Sequence, residues 1–178
     1  MRYILVLLAI SFTSNCFAQE ESERPWSVGL MIGHHRILNG VNINGEVRGL
    51  LVPSWSLAVN RKLNEHWFVG LHTDLIVEAY LVKTGSSRNE SEEGNIIERE
   101  FPLTPALILG RKFAKYHSVL LGFGAEFADS EPFAVVRLGY EFAYPIAERF
   151  EGLASVDFDH RFDGYNSYSL LIGVAYLL

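Results

Sequence analysis

The chain has 178 residues, is 49% hydrophobic and 13% aromatic, and carries a formal charge of −6. Its 15 Lys and Arg are outnumbered by 21 Asp and Glu and form no cluster, which excludes the phosphate-dense contacts of a nucleic-acid binder. The single cysteine, Cys16, excludes a disulfide within the chain.

Residues 1–18 have the layout of a cleaved signal peptide. Arg2 supplies the positive start, Tyr3 to Phe12 the apolar stretch, and Cys16-Phe17-Ala18 a small-x-small site before Gln19. The apolar run is about half of the roughly 20 residues a helical span needs. Thr13-Ser14-Asn15 lacks the residues expected before a lipid-modified cysteine. Cleavage after Ala18 removes Cys16, and with it thiol catalysis and cysteine–metal chemistry. It also removes Arg2, the only charged residue of the segment, taking the charge of −6 to −7. The remainder divides into a short segment, 19–24, and a single domain, 25–178.

In that domain apolar residues recur with a period of two, the signature of strands rather than helices. The alternation predicts strands near 26–36, 50–62, 67–82, 97–112, 118–128, 133–145, 149–162 and 167–178. One face of each is apolar. The first shows Trp26, Val28, Leu30 and Ile32, the second Trp55, Leu57 and Val59, and the third Trp67, Val69, Leu71 and Leu75. Phe101, Leu103, Leu107 and Leu109 follow on the fourth, then Val119, Leu121 and Phe123 on the fifth. Leu138 and Tyr140, Val156 and Phe158, and finally Leu170, Ile172, Val174 and Tyr176 complete the set. Connections after the second, fourth and sixth strands are short, whereas residues 37–49 and 84–96 form long polar loops. Short turns at one end and long loops at the other are the habit of an outer-membrane barrel, whose even strand number leaves both ends of the chain on the periplasmic side.

Aromatic residues gather at the strand ends. Trp26, Trp67, Tyr144, Phe150 and Tyr176 are expected at one rim, and Phe127, Phe133, Phe162 and Tyr168 at the other, as two interfacial girdles. The opposite face distinguishes a membrane barrel from a soluble, lipocalin-like one. It carries Ser118, Leu120, Gly122 and Gly124 on the fifth strand and Ser169, Leu171, Gly173 and Ala175 on the eighth. Small residues suit a crowded eight-strand lumen better than a solvated surface.

The expected fold is therefore all-β: an eight-stranded antiparallel up-and-down transmembrane β-barrel following a cleaved signal peptide. The pattern resembles small outer-membrane proteins of the OmpA/OmpX type, over essentially residues 25–178, through architecture and the terminal signal around Gly173, Tyr176 and Leu178. That resemblance implies residence in the outer membrane of a Gram-negative bacterium and contact with outer-membrane lipid and lipopolysaccharide. It also implies recognition by the barrel assembly machinery through the last strand, although Leu178 stands where the family usually ends in Phe. No peptidoglycan-binding domain follows, so the anchoring role of longer relatives does not carry over.

The inward face is expected to hold ionic groups. Pairing across two hairpins predicts a Glu126–Arg137–Asp157 cluster, since arginine's planar fork serves two carboxylates at once. His72, Asp74, Glu78, Glu141, Asp159 and Arg161 are the further polar residues expected in the lumen. In so narrow a barrel they pair with one another and plug it.

No metal or cofactor site is expected. His34 and His35 are adjacent on a strand and point to opposite faces, His66 and His117 lie at short turns, and His160 faces outward. His72 and Asp74 supply two ligands where zinc needs three or four. The segment 159–166 is similar to the penultimate-strand region of lipid A deacylases, which place a His and a Ser two residues apart. Here Phe162 stands two residues after His160, so the nucleophile is missing. The expected role is non-enzymatic, structural or surface-interacting. A lipid A-modifying barrel enzyme and a lipocalin-like ligand binder are the alternatives.

Overall fold

In a computed structural model describing residues 25–42, 44–84 and 95–178, eight strands close into an antiparallel barrel. The expected signal peptide, Cys16, and the loop charges Arg88, Glu90, Glu92 and Glu93 lie outside the described residues. The barrel strands are β1 (Trp26–Ile37), β3 (Leu50–Lys62), β4 (Trp67–Ile76), β7 (Leu103–Ala114), β8 (His117–Glu126), β9 (Phe133–Ala147), β10 (Phe150–Arg161) and β11 (Asn166–Leu177). Each pairs with its chain neighbours, and β1 closes the ring on β11, with Ile32 opposite both Ile172 and Trp55. Four of the strands run 12 residues, enough for the roughly 9–11 that a tilted strand needs to cross a bilayer.

One rim carries three short turns. Asn64 shapes the turn between β3 and β4, its Oδ1 accepting the backbone N–H groups of His66 and Trp67 at 2.9 Å each. The other rim carries the long loops, and here the third and fourth predicted strands are each broken. Residues 77–79 leave the barrel wall, and β5 (Tyr80–Lys83), β6 (Ile96–Arg99) and the two-residue β2 (Gly40–Val41) form a separate small sheet in the order β2-β5-β6. The chain re-enters the barrel through Phe101, whose φ of 43° is left-handed, and Pro102, which has no N–H to donate to a ladder. The break turns Glu78 out to solvent, correcting its expected place in the lumen.

The wall is apolar on the outside. Leu30, Ile32, Trp55, Leu57, Leu71, Leu107, Leu121, Leu138, Val156, Leu170, Ile172 and Val174 all face outward. Trp26 and Trp67 join them at the short-turn rim, as do Tyr144 and Phe150, while Phe127, Phe162 and Tyr168 stand exposed at the other end. Phe133, expected in the second girdle, is instead buried in the lumen: it shares the inward parity of Val135 and Arg137 on β9. An outer wall of this composition is the inverse of a lipocalin's, which would bury its tryptophans and solvate its charges.

Candidate functional site: an ionic lumen

Charged side chains are buried inside the barrel, where each must find a partner or remain costly. Most fall into two clusters, joined where Arg161 Nη2 comes within 3.8 Å of Asp159 Oδ2, and buried Asp157 and Glu141 stand outside both. The first lies at the long-loop end around Glu126, the last residue of β8. Arg99 donates to Glu126 Oε1 from Nε at 2.9 Å and from Nη2 at 2.6 Å, Arg161 donates to Oε2 through Nε, and the Tyr165 hydroxyl donates to the same carboxylate at 2.8 Å. Because Tyr165 spends its proton on Glu126, Tyr80 must be the donor in the 2.5 Å contact between the two phenols. Burial pushes the titration of Tyr80 and Tyr165 above the ordinary phenol range, which keeps both in the donating form.

This cluster also ties the small sheet to the barrel. Arg99 belongs to β6, opposite Tyr80 on β5, and it reaches past Glu126 to Ser130 Oγ at 2.6 Å and the Glu131 carbonyl at 2.7 Å. Phe133 covers the group, with the Arg99 guanidinium 4.8 Å from its ring centroid and the Tyr165 ring meeting it edge-on. Arg161 adds a bond to Ser167 Oγ at 2.9 Å and lies 4.4 Å from the Tyr165 centroid. Ile37, Val52, Ile76 and Val82 pack around these aromatics as an apolar cap.

The second cluster is centred on Arg137 of β9. Its Nε and Nη2 grip Asp159 in a fork at 2.7 and 2.8 Å, and Nη2 also reaches Asp74 at 2.5 Å. His35 approaches the same Asp74 oxygen at 3.5 Å and bonds Ser54 Oγ through Nδ1 at 2.9 Å. Ligand atoms of His35, Asp74 and Asp159 lie within 4.8 Å of one another. The Arg137 guanidinium already bridges the two carboxylates, so a divalent cation would have to displace a buried arginine.

The expected Glu126–Arg137–Asp157 cluster does not form. Arg137 pairs with Gly122 on one side and Asp159 on the other, while Glu126 pairs with Phe133. Both predicted hairpin registers are displaced, because residues 127–132 and 148–149 set the turn centres differently from a symmetric fold of the sequence. Asp157 lies opposite Gly139 and accepts from Ser155 and Ser169 at 3.1 and 3.2 Å. An added Cβ at Gly139 would sit 2.2 Å from Asp157 Oδ1, so the carboxylate occupies space only a glycine leaves open.

Towards the short-turn rim the lumen is blocked by Met31, Leu153 and Leu171 beside Ile108 and Leu120. His72, buried between this floor and the Arg137 group, bonds Asn60 Oδ1 at 2.9 Å. Below lies a mouth cavity of about 200 Å³ lined by Asn60, Lys62, Lys112, Ser118, Glu141 and Glu151. Arg99, Tyr165 and His35 are ionic-cluster residues that sequence reasoning did not place in the lumen. Pro102, inside what read as a continuous strand, was the available signal that the strand breaks.

No protein-family model matches the chain, and no curated protein matches it. Among solved structures it is similar to the attachment invasion locus protein Ail of Yersinia pestis, with a TM-score of 0.50 and 13% identity over 89% of this chain and 100% of that one. It is also similar to Neisserial surface protein A, with a TM-score of 0.52 and 8% identity over 86% of this chain and 97% of that one. At such identities the likeness is one of fold. Together with the apolar wall and ionic lumen, it defines a small eight-stranded β-barrel of the outer-membrane type.

Proposed function

We propose that the protein resides in the outer membrane of a Gram-negative cell as a plugged, non-enzymatic barrel that presents the β2-β5-β6 sheet and its loops to the surroundings. The observation that carries this reading is the pairing of an apolar outer wall with buried charges, most of them held in ion pairs around Glu126 and Arg137. Such a molecule is soluble only in a bilayer, and its section is filled by side chains rather than water. A structural or surface-interaction role follows. The long-loop end is the part available to lipopolysaccharide or a partner, and β11 is the strand the assembly machinery would read.

The geometry gives little support to a lipid A-modifying activity. His160 bonds Asn166 Oδ1 at 2.8 Å and packs edge-on against Phe162, with no hydroxyl in the nucleophile's place. The test is fractionation with heat-modifiable gel mobility. The protein is expected in the outer-membrane fraction, migrating differently before and after boiling. Recovery as a soluble periplasmic protein would refute the reading, and a change in lipid A mass spectra on deleting the gene would refute its non-enzymatic part.

A further inference from the structure

The two rims differ in charge. Exposed residues at the long-loop rim are dominated by Glu78, Glu98, Glu100, Asp129, Glu131 and Asp163. At the short-turn rim four cations sit against aromatic side chains. The Arg61 guanidinium lies 5.5 Å from the Trp26 ring centroid, Arg111 5.4 Å from that of Trp67, and the Lys115 ammonium 5.0 Å from that of Tyr116. Arg149 donates to the Tyr176 hydroxyl at 3.1 Å. Two of these arise from ladder pairing itself, because Trp26 stands opposite Arg61 and Trp67 opposite Arg111. They fall on β1–β3, on β4–β7, at the β7–β8 turn and between the β9–β10 turn and β11, and so are distributed around the ring. Among the described residues, the acidic residues of this rim are Glu65 and Glu148 in the turns, with Glu141 and Glu151 inside the mouth.

We propose that this ring of cation–aromatic pairs is a collar that binds the phosphates of anionic phospholipid headgroups in the leaflet at the short turns. The proposal rests on the membrane reading above. An interfacial indole or phenol sits at headgroup depth, and a guanidinium stacked on it keeps its in-plane N–H edges for phosphate oxygens. Cations at that depth are drawn to an anionic lipid surface, each multiplying affinity about fivefold. The occupant is a lipid because the ring abuts the apolar wall: a phosphate held there carries its acyl chains down onto outward residues such as Val28 and Val69.

The experiment titrates short-chain phosphatidylglycerol into the barrel in zwitterionic micelles and compares wild type with R61Q/R111Q/R149Q. All three side chains are exposed, so the barrel itself is expected to stay folded. The triple variant is expected to bind roughly a hundredfold more weakly, R61K/R111K/R149K to retain binding, and Arg36→Gln at the other rim to change nothing. Equal binding by wild type and the Gln variant would overturn the proposal, as would displacement of the lipid by equimolar inorganic phosphate. Entry into zwitterionic vesicles with no headgroup preference contradicts the collar alone, whereas failure to enter any vesicle contradicts the membrane reading.

Discussion

Replacing Arg137 with methionine removes three hydrogen bonds, at 2.5, 2.7 and 2.8 Å, from two carboxylates that are almost wholly buried. Methionine fills much of the volume, so the main effect is electrostatic: Asp74 and Asp159 are left facing each other in a low-dielectric lumen, with only His35 at 3.5 Å from Asp74 and Arg161 at 3.8 Å from Asp159 beside them. Deleting one partner of a buried ion pair costs about 3–5 kcal/mol. A loss of that size shifts the unfolding equilibrium by roughly 10²- to 10³-fold. The assay is urea unfolding of the barrel in vesicles, followed by tryptophan fluorescence, with a sharply lower midpoint expected for Arg137→Met. The triple variant R137M/D74N/D159N should recover much of the loss, because neither of the two carboxylates that Arg137 bridged is left charged. An Arg137→Met barrel that unfolds at the wild-type urea concentration would refute the idea that this cluster crosslinks the lumen.

Depth should decide the tolerance of the outer wall. Ile172, midway along β11 and 61% exposed, should lose about 2–4 kcal/mol as Ile172→Arg, whereas Leu51→Arg, 67% exposed near the long-loop rim, should lose about 0–1 kcal/mol. Equal effects in vesicle-unfolding assays would argue against a bilayer around the barrel. Arg99→Met should free the small sheet while Arg161 and Tyr165 still satisfy Glu126. Limited proteolysis is expected to cut near residues 96–99 in a barrel that still shows heat-modifiable mobility, and unchanged protection would contradict the tether. Gly139→Val puts a Cβ 2.2 Å from Asp157 Oδ1 and 3.1 Å from Leu120 Cβ. Overpacking of this kind typically costs about 1–3 kcal/mol, and a wild-type unfolding midpoint would show that the lumen is looser at that level.

Strand existence was legible because lipid requires the outward residues along the middle of each strand to be apolar, as Val28, Leu30 and Ile32 are on β1, Val119, Leu121 and Phe123 on β8, and Leu170, Ile172 and Val174 on β11. Register was not, since it depends on where each turn begins. A shift by an even number of residues preserves every side chain's face while exchanging its partners, which is how Arg137 came to meet Asp159 rather than Asp157. The face of Phe133 was misread for a different reason. An aromatic at a strand end fits a girdle or a luminal cap equally by composition, and only its parity with Arg137 separates the two. The small sheet was hidden because Tyr80–Lys83 keeps the alternation of β4 although it has left the barrel wall, whereas in Ile96–Arg99 the parity reverses: Arg99 shares that of outward Leu103 yet is buried. Arg99 therefore looked like part of the wall when it is the residue that anchors the sheet.

The orientation of the wall can be tested with the chain's three tryptophans, Trp26, Trp55 and Trp67, all of which point outward. In vesicles containing lipids brominated along their acyl chains, the intrinsic fluorescence of the refolded barrel should be strongly quenched, while soluble acrylamide should quench it weakly. Emission indifferent to the brominated chains would mean that the tryptophans do not face lipid, and the inside-out barrel described here would be wrong.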